Sequence, residues 1–187
     1  METKPSAFLL RAAEAARAAD HVFPEHAACE AALEANWGQS RLAIEGNNLF
    51  GQKQAHPPLA GTGTLEIVTR EYLRGEWVMV PAHWVKFANW AECFQARMAV
   101  LERLRHAYPK YAQALDAHTG EAFVEAVSLR WSTDPDRAAK VLSIYRAHCG
   151  VFKGPGVESS APEAPALQRA ATGSGKAAAS ASTATLA

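Results

Sequence analysis

A chain of 187 residues, about half of them apolar, is long enough to bury one core, so one domain plus a tail is expected. Nineteen basic and nineteen acidic residues balance to zero formal charge, which leaves no basic stripe to neutralise phosphates and argues against nucleic acid as a partner. Three widely spaced cysteines, Cys29, Cys93 and Cys149, read as small buried hydrophobes, and the singly scattered histidines lack any HExxH pattern, so no disulfide framework, metal or organic cofactor is implied.

At the N-terminus an apolar patch of only Ala7 to Leu10 precedes recurring Arg and Glu. It is too short for a Sec signal peptide, and no stretch of the chain is apolar enough to span a membrane. Ser6 is placed to cap a first helix running to about residue 21, with Phe8, Leu9, Ala12, Ala16 and Ala19 along one stripe. Pro24 suits the first turn of a second helix, expected to reach Asn36 before Gly38 stops it. Ser40 caps a short helical turn from Arg41 to Glu45 that Gly46 ends, and Asn47 to Gly51 form a polar turn held down by Leu49 and Phe50.

The second helix carries the residue of most interest. Helical spacing sets Glu34 among Ala27, Ala28, Ala31, Ala32 and Leu33, so this carboxyl is expected to project from an apolar surface with Trp37 as a wall. A carboxyl so placed stays protonated towards neutrality and suits a general acid.

After a Pro- and Gly-rich loop over 54–63 comes a strand pattern, 64–73, a turn at Arg74-Gly75 and a second strand over 77–80, with 83–87 a candidate third. Alternation puts Leu65, Ile67, Thr69, Glu71 and Leu73 on one face, which makes Glu71 a second carboxylate to weigh. Trp84, Phe87 and Trp90 form an aromatic group before the next helix; packing is its commoner use, sugar stacking the alternative. Asn89 and Glu92 form a capping box for a helix to about residue 106, with Phe94, Met98, Leu101 and Leu104 as core. Pro109 breaks the chain, short helices are expected over 110–115 and 119–129, and Thr133-Asp134-Pro135 caps a last helix whose Val141, Leu142 and Tyr145 point inward. Past Lys153 the composition turns to Ala, Ser, Gly and Pro, so 154–187 is expected to be a disordered tail. Its Gly173-Ser-Gly175-Lys176 lacks the glycine spacing, the Ser or Thr after lysine and the strand of a phosphate loop.

Glu34-Ala-Asn-Trp37-Gly38-Gln-Ser40-Arg-Leu42-Ala43, followed by Asn47-Asn48-Leu49-Phe50-Gly51-Gln-Lys53, resembles the signature of the glucosaminidase family of peptidoglycan hydrolases, glycoside hydrolase family 73. The likeness fixes residue types over about twenty positions in one register, far beyond a short motif. It implies a mostly helical α+β, lysozyme-like domain over 1–153, with a small β-hairpin lobe beside the cleft. It also implies cleavage of the β-1,4 bond after N-acetylglucosamine in peptidoglycan, with Glu34 as general acid. Thr69-Arg-Glu71-Tyr72 resembles the family's hairpin segment, whose glutamate faces the catalytic one. Trp37, Asn48, Phe50, Tyr72 and Trp131 are the implied substrate contacts. The partner is then the glycan strand and the place of action the cell wall, with a monomer expected and phage-type release or non-Sec export as routes. The family's Tyr-Ala-Thr-Asp-Pro-x-Tyr reads Trp131-Ser-Thr-Asp-Pro-Asp-Arg137 in this chain, so both tyrosines are replaced, and Tyr72, Tyr111 and Tyr145 are the candidates to stand in. A lytic transglycosylase and a wall-binding module without turnover are the rival readings.

Overall fold

The computed structural model describes residues 4–56, 58, 62–73 and 75–153, with the backbone alone described for 69–73. These lie in the compact unit Met1–Gly156. Arg74 of the expected hairpin turn and the expected tail, 154–187, lie outside the described residues.

Helix α1, Lys4–Ala18, buries Phe8, Leu9, Ala12, Ala13 and Ala16, the i, i+3, i+4 set expected of an amphipathic helix. It lies against α2, Pro24–Glu34, whose residues from His26 to Ala32 are all buried. Four alanines in that run let α1, α6 and α7 close in from several sides. Gly120, at the start of α6, shows how close: a Cβ there would lie 2.1 Å from His26 Nδ1. Helix α2 stops at Glu34, two residues short of the expected end, and Asn36, Trp37 and Gly38 follow with φ of +48°, +55° and +76°.

Helix α3, Arg41–Gly46, is capped as expected, Ser40 Oγ accepting from Ala43 N–H at 3.2 Å. Its left-handed C-cap is Asn47 rather than Gly46. The strands β1, Gly63–Leu73, and β2, Glu76–Lys86, form one antiparallel hairpin. The expected second and third strands are thus a single strand running through Pro81, which pairs with Val68. A two-stranded hairpin has open edges, where a proline's missing donor is tolerated.

Helix α4, Trp90–Leu104, starts on the expected capping box: Asn89 Oδ1 accepts from Glu92 N–H, and Glu92 Oε2 accepts from Ala88 N–H, both at 3.0 Å. Helices α5, Pro109–Leu115, and α6, Gly120–Trp131, pair with each other. Helix α7, Arg137–His148, begins two residues after Pro135. Asp134 Oδ1 first accepts from Asp136 N–H at 3.0 Å, closing a turn ahead of the helix. Cys29 and Cys93 are buried and Cys149 half-buried.

His21 is buried, with Nδ1 accepting from Phe23 N–H at 3.1 Å at the entry to α2. Burial, reinforced by the nearby Arg97, lowers its pKa from 6.5 to about 4. The unfolded chain therefore takes up this proton as pH drops below 6.5 while the fold resists until about 4, so stability present above the upper value is lost across that window. Urea unfolding at pH 7 and pH 4.5 is expected to show a drop about 2–3 kcal/mol larger in the wild type than in His21→Asn. Asparagine keeps the acceptor for Phe23 and does not titrate.

Candidate active site

The carboxyl of Glu34 leaves the last turn of α2 with its side chain 26% exposed, and Oε1 accepts from Arg137 Nε at 2.7 Å. This corrects the apolar setting expected from the helical spacing. The neighbour is a guanidinium brought from α7, a contact that alanine periodicity along α2 cannot reveal. Trp37, the expected wall, meets instead Phe8 edge-on at 6.3 Å and His148 at 5.5 Å.

Arg137 belongs to a buried ion network. Its Nη1 donates to Glu30 Oε1 at 2.9 Å and to Ser128 Oγ at 2.8 Å, and Arg97 Nη2 donates to the same Glu30 oxygen at 2.8 Å. Glu30 and Arg97 are fully buried and Arg137 is 1% exposed. Burial alone would push the Glu30 carboxyl up, but the two guanidiniums outweigh it and hold the group below its ordinary value. The Arg97 guanidinium lies 4.5 Å from the centre of the Phe50 ring and 4.9 Å from that of Trp131. The chain of contacts thus runs from Glu34 through Arg137, Glu30 and Arg97 to two aromatic rings.

Those rings meet edge-on at 6.3 Å and line a cavity of about 380 Å³ with Gly51, Lys53, Arg103 and Tyr111. Phe50 and Trp131 are therefore brought together as expected, and of the stand-in tyrosines Tyr111 joins them while Tyr145 stacks on His26 at 3.9 Å. Trp37 lines a different cavity, with Lys4, Pro5 and Gln39.

Asn48, another of the candidate contacts, has a structural place in the loop. It is 1% exposed, its Nδ2 donates to Gln52 O and Val85 O at 2.9 Å, and its Oδ1 accepts from Gln52 N–H at 2.9 Å. It rivets the loop to β2. Asn47, the preceding residue, donates to Phe87 O and Ala88 O just past the end of β2. The loop then runs beside β2, where Lys53 bridges Trp84. Phe87 and Trp90 are buried, Trp90 against Phe8 and the Arg11 guanidinium, so they pack rather than form a platform. Glu71 and Tyr72 sit opposite Val78 and Trp77 in the hairpin register, and their side chains lie outside the described residues.

Glu30, Arg97, Ser128 and the pairing of Arg137 were not expected. A signal was present: Glu30 and Glu34 are like charges at i, i+4 on a helix with no basic residue in its last turn, a pair that cations from other elements would relieve.

A mostly helical domain with one small antiparallel hairpin has the lysozyme-like α+β architecture. Residues 10–149 match the profile of the glucosaminidase family, described as mannosyl-glycoprotein endo-β-N-acetylglucosaminidase, and the chain belongs to that family. It is 34% identical over 122 residues to the peptidoglycan hydrolase FlgJ of Salmonella typhimurium, covering 63% of this chain and 37% of that protein. It is 29% identical over 132 residues to the exo-glucosaminidase LytG of Bacillus subtilis, covering 68% and 45%. The chain thus spans less than half the length of these curated relatives. Among solved structures, the catalytic domain of the Listeria monocytogenes autolysin Auto superposes with a TM-score of 0.66 at 24% identity, covering 81% of this chain and 88% of that one. A truncated glycoside hydrolase domain of the Salmonella FlgJ gives 0.61 at 29% identity, covering 78% and 98%. Among the described residues no helix is long and apolar enough to cross a membrane.

Proposed function

We propose that this domain hydrolyses the β-1,4 bond after N-acetylglucosamine in bacterial cell-wall glycan, with Glu34 protonating the leaving oxygen. The observation that carries the reading is the double character of Glu34: one carboxyl oxygen is tied to a buried guanidinium while the side chain still reaches the surface. That is what a proton donor needs, a fixed orientation and access to substrate. Similarity to a peptidoglycan hydrolase and an exo-glucosaminidase supports the substrate class.

Glu71 is the second carboxylate of the proposal, activating water or steadying the oxocarbenium-like charge at the anomeric carbon. Phe50, Trp131 and Tyr72 are the proposed sugar contacts, the first two lining one cavity. A sugar ring stacks well on an indole, and the loss of a tyrosine hydroxyl at Trp131 leaves Tyr111 as the phenol in the same cavity. The site of action is the cell wall.

Mass spectrometry of products from purified sacculi tests the reading directly. New reducing ends at N-acetylglucosamine are expected. Ends carrying 1,6-anhydro-muramic acid would identify a lytic transglycosylase, and binding to sacculi without release would identify a wall-binding module; either outcome overturns the hydrolase.

A further inference from the structure

Arg137, at the start of α7, does more than fill a place against α2 and α6. Its guanidinium reaches three acceptors at once: Glu34 Oε1 through Nε at 2.7 Å, and Glu30 Oε1 and Ser128 Oγ through Nη1 at 2.9 and 2.8 Å. Acceptors on two helices, α2 and α6, fix the plane of the group, which a lysine ammonium cannot reproduce because it is a point charge on a flexible stem.

Two consequences fall on Glu34. An oxygen that accepts a hydrogen bond from a guanidinium is not the one that carries a proton, so Oε2 is left to bear and deliver it. The second concerns charge: Glu34 ends α2, where no basic residue stands in the final turn, and the cation in contact with it is Arg137, brought from α7.

We propose that Arg137 is the positioning residue of the catalytic carboxyl: it fixes the Glu34 side chain, directs the proton to Oε2 and stabilises the carboxylate that forms in the step. This rests on the reading of Glu34 as the acid. In that step the Oε2 proton passes to the glycosidic oxygen, and the bond from that oxygen to the anomeric carbon breaks with its electron pair leaving on the oxygen. Water then bonds to the anomeric carbon and releases its proton to solvent, from which the Glu34 carboxylate is reprotonated. The charge left on Glu34 appears beside the guanidinium, so the ion pair strengthens as the bond breaks.

The test compares Arg137→Lys, Ser128→Ala, Glu34→Gln and the Glu34→Gln/Arg137→Lys pair on soluble glycan oligomers, with folding followed by circular dichroism. Arg137→Lys is expected to lower kcat about 10–100-fold with KM within about twofold, since alignment and developing charge act after binding. Ser128→Ala, which keeps both ion pairs and removes one anchor of the guanidinium, is expected to lower kcat about 2–5-fold, again with KM unchanged. In the Glu34→Gln background Arg137→Lys is expected to cost nothing further. A folded Arg137→Lys with wild-type kcat, or the same fold-loss with and without Glu34, overturns the proposal. Should Arg137→Lys not fold, an unchanged kcat in Ser128→Ala overturns it. Full activity of Glu34→Gln strikes instead at the assignment of the acid, whatever Arg137 does.

Discussion

Glu34→Gln is expected to slow release of glycan from purified sacculi about 10²–10⁴-fold, the range over which a positioned general acid contributes to a rate. Glutamine matches glutamate in shape, and its amide oxygen still accepts from Arg137 Nε, so the contact that ties α2 to α7 is kept. What is lost is the acidic proton. The melting temperature should therefore move by only a few degrees, because the carboxyl is partly exposed and Arg137 keeps Glu30 and Ser128 as buried partners. Dye release from labelled sacculi and differential scanning calorimetry on the same preparation separate the two effects. A variant that clears sacculi at more than about a tenth of the wild-type rate removes Glu34 from the role of acid.

Much of the fold was legible because the helices obey short-range rules. The stripe of α1, the proline opening α2, the serine at α3 and the capping box of α4 all read directly from residue type and spacing. The boundaries that moved did so where a local signal competed with tertiary structure. Pro81 interrupts the second strand pattern in the sequence, yet it sits within β2 opposite Val68 because, among the described residues, no further strand pairs with β2 at that position and needs its donor. Pro135 reads as the first helical residue, yet Asp134 closes a turn on Asp136 and α7 starts at Arg137.

The site was legible in part. Glu34 stands out from its sequence context, and Phe50 and Trp131, 81 positions apart in sequence by their numbers, do line one cavity. The ion network was not, because charged residues are read by habit as solvated. Arg97 shows the signal that was available: it falls on the same stripe of α4 as Cys93, Phe94 and Leu101, so a guanidinium had to enter the core and find a counter-charge there. Asn48 shows a second kind of information in the motif: its three bonds to backbone groups show that the motif also encodes the shape of a loop.

Glu30→Gln is expected to destabilise the domain by about 3–5 kcal/mol, which corresponds to a melting temperature lower by about 10 °C or more. The amide oxygen can still accept from Arg97 and Arg137, so the hydrogen bonds survive and the charge alone disappears. Arg137 retains Glu34, but Arg97 is left fully buried with no other carboxylate in contact among the described residues. Its remaining partners are the faces of Phe50, Trp131 and Phe123, and a desolvated cation–π contact of about 2 kcal/mol offsets only part of the loss. Acid should reproduce the effect in the wild type. The Glu30 carboxyl is held below its ordinary value of 4.5, so its contribution is present above that pH and is lost as pH falls through the lower value of the fold. His21 acts over the window from 6.5 to about 4, which lies mostly above, so the two groups separate along the pH axis. Denaturant titrations from pH 7 to pH 3 should show the steep limb below pH 4.5 flattened in Glu30→Gln, with the His21 limb extended to lower pH because the Glu30 charge that raises the His21 pKa is gone. Replacing Arg97 by Met in the Glu30→Gln background removes the orphaned cation and should recover part of the stability; a further loss there would mean that the arginine matters for its packing against the three rings and not for its charge.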